Sequence, residues 1–205
     1  FNGEIYNDYS SYSSDLIYSD TDYLIRRYEE FGDNCFSSLD GEFAICIFDY
    51  QKNRIYLSTD TFGTKPLYYC ISDESIFVSS YDSSIKTLGV RHKINQVPAN
   101  TLITIDFNNN KVVNQKDLKI FNFNSQNIDS YEKWSRAFTQ SIEKRTENKN
   151  HKYFVPFSSG HDSGVILAEL INLKKSFKGY IVPYLEDERV FNQRIAILND
   201  LKIPI

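Results

Sequence analysis

The sequence predicts a mostly antiparallel α+β unit followed by the start of a parallel α/β unit, and three patterns carry that expectation. From Gly41 onward, short runs rich in β-branched and aromatic residues alternate with turn-forming clusters. Near residues 122–127 the chain turns polar and loses its periodicity. Beyond that point strand-like and helix-like runs alternate, as they do in a parallel sheet with crossover helices.

Taken in order, Ser19-Asp20-Thr21-Asp22 reads as a capping box that opens a helix. Leu24, Ile25, Tyr28 and Phe31 form its apolar face, and Gly32 stops it. Strands are expected at 43–48, 54–58, 67–71 and 76–79, parted by the turn clusters 49–53 and 72–75. Runs 101–106 and 111–114 flank Asn108-Asn109-Asn110 and read as a hairpin, since Asn tolerates the positive φ of tight turns. A boundary near 122 gives domains 1–121 and 122–205. The second opens with a helix from 129 that carries Tyr131, Trp134, Phe138 and Ile142 on one face. A strand at 153–157, a helix at 163–173, a strand at 177–182 and a helix at 188–201 follow.

Composition narrows the function classes. With 41% hydrophobic residues, 24% charged residues and a net charge of −4, the 205-residue chain reads as an ordinary globular protein without a nucleic-acid partner. The longest apolar run, 43–48, is far short of the roughly 18 residues of a membrane span, so no membrane association is expected. Cys35, Cys46 and Cys70 are odd in number and lack CxxC spacing, which favours a reducing, cytoplasmic compartment. His92, His151 and His161 show no metal-ligand spacing and read as surface histidines. The chain contains no methionine and opens inside a motif, so it reads as a piece of a longer protein.

Two segments carry chemistry. Ser158-Ser159-Gly160-His161-Asp162-Ser163-Gly164 lies between an expected strand and an expected helix. Small residues there permit close backbone approach, and the helix N-terminus supplies N–H groups to an anion. It is not a Walker loop, because the glycine spacing differs and no lysine is present. The plain alternative is a capped helix start with Asp162 and Ser163 as caps. The loop resembles the SGGxDS signature of N-type ATP pyrophosphatases, with Ser159 where the first glycine is usual and Gly164 where serine is common. That resemblance implies that ATP is held by Ser158, Ser159, Gly160, Asp162 and Ser163. It also implies that Asp162 partners Mg²⁺ and that Val182 lies near adenine.

Phe1-Asn2-Gly3-Glu4-Ile5-Tyr6-Asn7 is similar to the FNGEIYN segment of class II glutamine amidotransferases. By resemblance, Asn2 and Gly3 form an oxyanion hole, while Glu4 and Asp20 bind glutamine and Asp20 takes its α-amino group. Preorganised donors suit the tetrahedral oxyanion of amide hydrolysis. Asp20 also reads simply as an acidic residue favoured at a helix start. Leu39-Asp40-Gly41-Glu42-Phe43-Ala44 and the run Asp60 to Tyr69 resemble blocks of asparagine synthetases, with Thr59 where arginine is usual. Both blocks read as structural. Together the matches resemble the glutamine-hydrolysing asparagine synthetase family.

The family's fold is an antiparallel sandwich of the N-terminal-nucleophile hydrolase type followed by an adenine-nucleotide-binding α/β domain. What the resemblance implies is amide synthesis from glutamine and a carboxylate acceptor, aspartate first among candidates, with ATP going to AMP and pyrophosphate. Related acceptors are sugar acids and β-lactam precursors, and the family allows a homodimer. A degenerate, non-catalytic regulatory homologue is the alternative from another class. The family's nucleophile is an N-terminal cysteine, expected upstream of Phe1, and none of the internal cysteines replaces it.

Overall fold

The computed structural model describes residues 1–7, 19–122, 124, 129–147, 151–181 and 185–205. Two compact units divide it, Phe1–Ser125 and Gln126–Ile205. Among the described residues no helix is long and apolar enough to cross a membrane.

The first unit runs β1 (Asn2–Ile5), α1 (Asp20–Phe31), a 3-10 helix (Gly32–Ser38), β2 (Gly41–Asp49), β3 (Arg54–Thr59), β4 (Tyr68–Ile71) and β5 (Ile76–Ser79). It continues with α2 (Asp82–Lys86), β6 (Ile94–Gln96), β7 (Thr101–Asp106) and β8 (Lys111–Asp117). Two antiparallel sheets result, of order β1-β2-β3-β7-β8 and β5-β4-β6. Side chains alternate across the larger sheet, so its two faces build two cores. Phe43, Ile45, Tyr56 and Leu102 pack against Tyr23, Leu24 and Phe36 from α1 and the 3-10 helix. Ala44, Ile55, Leu57, Ile103 and Ile105 pack on the other face against Leu67 and Val97, with Tyr69, Ile71 and Val78 of the smaller sheet alongside. Each fully buried aliphatic side chain contributes about 1.5–3 kcal/mol.

Local signals set most of these elements. Ser19 caps α1 by accepting the Asp22 N–H at 3.2 Å, and the helix stops at Gly32, whose N–H reaches Tyr28 O. The buried stripe differs from the expected one: Tyr23 and Leu24 are inside, whereas Ile25 and Phe31 are 49% and 42% exposed. Ile25 lies about 100° round the helix from Leu24, on the side away from Tyr23. Phe31 is covered instead by the Arg27 guanidinium, 4.0 Å from its ring centroid. Strands β1 and β6, helix α2 and the 3-10 helix were not expected; all four are short.

In the second unit α3 (Glu132–Arg145), β9 (Tyr153–Phe157), α4 (His161–Asn172), β10 (Phe177–Ile181) and α5 (Glu188–Asp200) follow in order. Strands β9 and β10 pair in parallel, Phe177 opposite Tyr153 and Ile181 opposite Phe157. Val155, Phe157 and Phe177 face a core that includes Ile142, Leu167, Leu170 and Leu198 from the three helices. Tyr131 and Trp134, expected on the buried face of α3, are exposed, and Trp134 stacks on Phe138 at 5.5 Å. The polar stretch at 122–127 lies mostly outside the described residues.

Asp60, directly after β3, is 2% exposed. Its carboxylate accepts the N–H groups of Phe43, Phe62 and Thr64 at 3.0, 2.9 and 3.0 Å and the Thr64 hydroxyl at 2.9 Å. A buried carboxylate is tolerable only with such a set of donors. Asp60→Ala strands several buried donors and is expected to lower unfolding free energy by about 3 kcal/mol or more, read from urea denaturation. A loss under about 1 kcal/mol would show that the flanking strands hold the turn unaided.

Candidate active site

Among the described residues, the motif at the start of the chain forms one edge strand of the larger sheet. β1 pairs antiparallel with β2, Gly3 opposite Phe43 and Ile5 opposite Gly41. Gly3 adopts φ +142°, and a Cβ there would overlap the carbonyl oxygen of Glu42. No side chain fits at this position. Asn7 Oδ1 accepts the Asp40 N–H at 2.8 Å and its Nδ2 donates to Ser38 O at 3.0 Å, so Asn7 ties the motif to the loop before β2.

Asp20, at the start of α1, places Oδ2 2.7 Å from the Ile5 nitrogen and accepts its N–H. The structure therefore joins Asp20 directly to β1 through a backbone amide. In an antiparallel pair, alternate residues turn their amides toward the partner and away from it. Tyr6 donates to Asp40 O across the pair, whereas Ile5 donates to Asp20, so the amide of Gly3 shares the Asp20 side of the strand. Two residues of strand separate the Gly3 and Ile5 amides by roughly 7 Å. Asn2 and Glu4 are both exposed on this strand.

Internal cysteines are poorly suited to act as nucleophiles. Burial pushes the Cys35 thiol up to about 12 and the Cys46 thiol up to about 11, and raises Cys70 as well. Thr59, where relatives were expected to carry arginine, donates its hydroxyl to Pro98 O at 2.6 Å.

A glutamine amidotransferase domain model matches residues 1–134. The chain belongs to that family. Asparagine synthetase 2 (glutamine-hydrolyzing) of Bacillus subtilis is 33% identical over 136 residues, 63% of this chain and 18% of that protein. Putative asparagine synthetase 1 (glutamine-hydrolyzing) of Methanocaldococcus jannaschii is 28% identical over 225 residues, 98% of this chain and 41% of that protein. This chain thus spans less than half the length of either relative. Among solved structures, the glutamine phosphoribosylpyrophosphate amidotransferase of B. subtilis covers 88% of this chain and 44% of its own at 15% identity and a TM-score of 0.48, a likeness too slight to assign a fold.

C-terminal to the region that matches the amidotransferase model, the serine-rich loop joins β9 to α4. Gly160 is the N-cap of α4 and makes no side-chain cap bond, so Asp162 and Ser163 are not the caps. Ser163 turns back instead: its Oγ accepts the Ser158 N–H at 3.1 Å and lies 3.0 Å from Ser158 Oγ. Asp162 is exposed in the first turn of α4. Val182 lies outside the described residues. Among the described residues no group of three or more His, Cys, Asp or Glu side chains is placed to hold a metal.

Two residues that sequence reasoning missed close this loop. Glu186, just before α5, accepts the Ser159 N–H, while the Asp187 N–H donates to Ser159 Oγ at 3.0 Å. Arg194, from α5, donates to the carbonyls of Ser158 and Gly160. Its guanidinium fills the space over Gly164, where any Cβ would collide with it. The available signal was the pair of departures from the loop signature, Ser159 and Gly164, each of which meets α5 or its N-cap.

The Ser159 hydroxyl, then the Ser159 amide, with Arg194 nearby, hold the Glu186 carboxyl below its usual range. A depressed carboxyl contributes stability above its unfolded-state value and loses it as pH falls through the folded-state value. The Ser159 amide resonance is therefore expected to keep its bonded shift from about pH 7 down past the ordinary glutamate range of about 4.3, and to change only below it. Glu186→Gln should flatten that titration. A wild-type midpoint at or above the ordinary value would remove the clamp.

Proposed function

We propose that this chain is part of a glutamine-dependent amide-forming ligase of the asparagine synthetase type. In this reading the amidotransferase domain releases ammonia from glutamine. Residues 122–205 begin an ATP pyrophosphatase-type domain, where a carboxylate, aspartate first among candidates, is amidated as ATP becomes AMP and pyrophosphate. The observation that carries it is the Asp20 to Ile5 contact, which sets a carboxylate and the Gly3 amide on one side of an edge strand. Glutamine can bridge that span with its carboxamide near Gly3 and its α-amine near Asp20. The Asn2 side chain and Gly3 N–H then donate to the oxyanion, and Glu4 adds to the substrate site. A cysteine preceding Phe1 in the full protein is the nucleophile of this reading, its α-amine serving as base.

The loop is suited to an anion. The Ser159 N–H already binds a carboxylate oxygen, with the Arg194 guanidinium beside it. The Gly160 position carries no side chain to crowd a phosphate. In this proposal Ser158, Ser159, Gly160 and Ser163 bind the phosphates, Val182 lies by adenine, and Asp162 holds Mg²⁺ together with phosphate oxygens, as Mg²⁺ sites with one protein carboxylate do. ATP supplies the leaving group that activates the acceptor. A non-catalytic homologue is the second reading, favoured by the Glu186 carboxylate seated on the Ser159 amide.

In the full-length protein, Asn2→Ala is expected to lower glutamine-dependent turnover by on the order of 10²-fold to 10³-fold while leaving ammonia-dependent synthesis nearly unchanged. Equal loss of both would assign Asn2 to folding or domain coupling. Asp162→Ala is expected to abolish pyrophosphate release with either nitrogen donor, while glutamine hydrolysis continues. AMP formation at the wild-type rate in that variant would withdraw the ATP-dependent half, and wild-type protein that makes neither AMP nor ammonia would favour the non-catalytic reading.

A further inference from the structure

A pocket of about 600 Å³ opens at the start of β9 and β10, the end of the sheet opposite the serine-rich loop. Five residues of strand place the two ends roughly 15 Å apart. Lys152, Lys174, Lys175 and Lys178 line the pocket, with Glu147 the one carboxylate among its described lining residues. This concentration of one sign occurs in a chain whose net charge is −4. Among the described residues none of the four lysines forms an ion pair.

Helix ends explain only part of this. Lys174 and Lys175 follow the C-terminus of α4, where cations are favoured, and Lys175 Nζ donates to Thr146 O at 3.3 Å. Lys152 and Lys178 come from the approach to β9 and from β10, with Lys178 Nζ 5.1 Å from the Tyr180 ring centroid, and Thr146 brings the C-terminal end of α3 into the same wall. Lys174 also sits at φ +53°, a conformation that favours glycine or asparagine. A concave site lined by one sign of charge focuses potential and raises the local concentration of the opposite ion.

We infer that this pocket binds a small organic molecule carrying two or more phosphates, at a site separate from the serine-rich loop. Its volume falls within the roughly 300–1,000 Å³ of small-ligand sites, which favours a small molecule over a nucleic-acid strand. Tyr153 and Pro204 supply an apolar wall for the organic part. The inference does not depend on the ligase reading.

Titration calorimetry of the full-length protein with inorganic tripolyphosphate and with ADP, in EDTA and low salt, tests it. EDTA removes the Mg²⁺ proposed at Asp162, whereas the lysine pocket needs no metal, and Arg194→Ala reports any binding held by the serine-rich loop. Both probes are expected to bind, ADP more tightly for its organic body, and the double variant Lys174→Glu with Lys178→Glu is expected to weaken each by 10-fold or more. Lys152→Glu, alone, should weaken them less but measurably. Lys111→Glu, at an exposed lysine of the first unit, should leave binding unchanged. Absence of binding, or binding that survives the lysine variants and is lost on Arg194→Ala, would overturn the inference.

Discussion

The buried carboxylate of Asp60 fastens three pieces of the amidotransferase domain at one point. It takes the Phe43 amide at 3.0 Å, and the Asp60 N–H returns a bond to Phe43 O at 3.0 Å, so the turn after β3 is locked to the beginning of β2. Phe43 is the residue opposite Gly3 in the β1 pairing. Asp60 O also accepts the Asn100 N–H at 2.8 Å, which draws in the approach to β7. The position of β1 relative to the rest of the sheet therefore rests on a buried carboxylate whose desolvation is offset by the four hydrogen bonds it accepts.

How much of this was legible in the sequence depends on the range of the interaction. The Ser19 cap, the Gly32 stop and the asparagine turn at 108–110 are local signals, and the structure shows the first two as read, with Asn110 at φ +52° in the third. Strand runs at 54–58 and 76–79 were visible because β-branched and aromatic residues cluster there. The short β6 and α2 carry too few residues for periodicity to appear. The facing of α1 was misjudged because Ile25 and Phe31 are as apolar as Tyr23. The core around Phe36 takes Tyr23 and Leu24, while Arg27, four residues back in the same helix, covers Phe31.

The serine-rich loop shows the same limit more sharply. Its motif gave its place between a strand and a helix, but the groups that hold it lie 27 and 36 residues further along, at Glu186 and Arg194. No spacing rule connects them. Ser159 and Gly164 looked like defects in a signature; in the fold one hydroxyl anchors the residue that caps α5, and the missing side chain makes room for a guanidinium. Departures from a motif are thus better read in pairs with whatever packs on them than singly.

Placing Asn2 and Gly3 on an edge strand has a cost as well as a use. An interior strand has both rows of amides consumed by neighbours, so backbone N–H groups can be offered to a ligand only where the sheet ends. The same opening accepts any extended peptide that can add itself as a further strand. In the proposed reading of the site, such a segment would compete with glutamine for the outward amides of β1 without resembling glutamine at all. In that reading strand addition is a route to inhibition that side-chain mimicry of the substrate would never suggest.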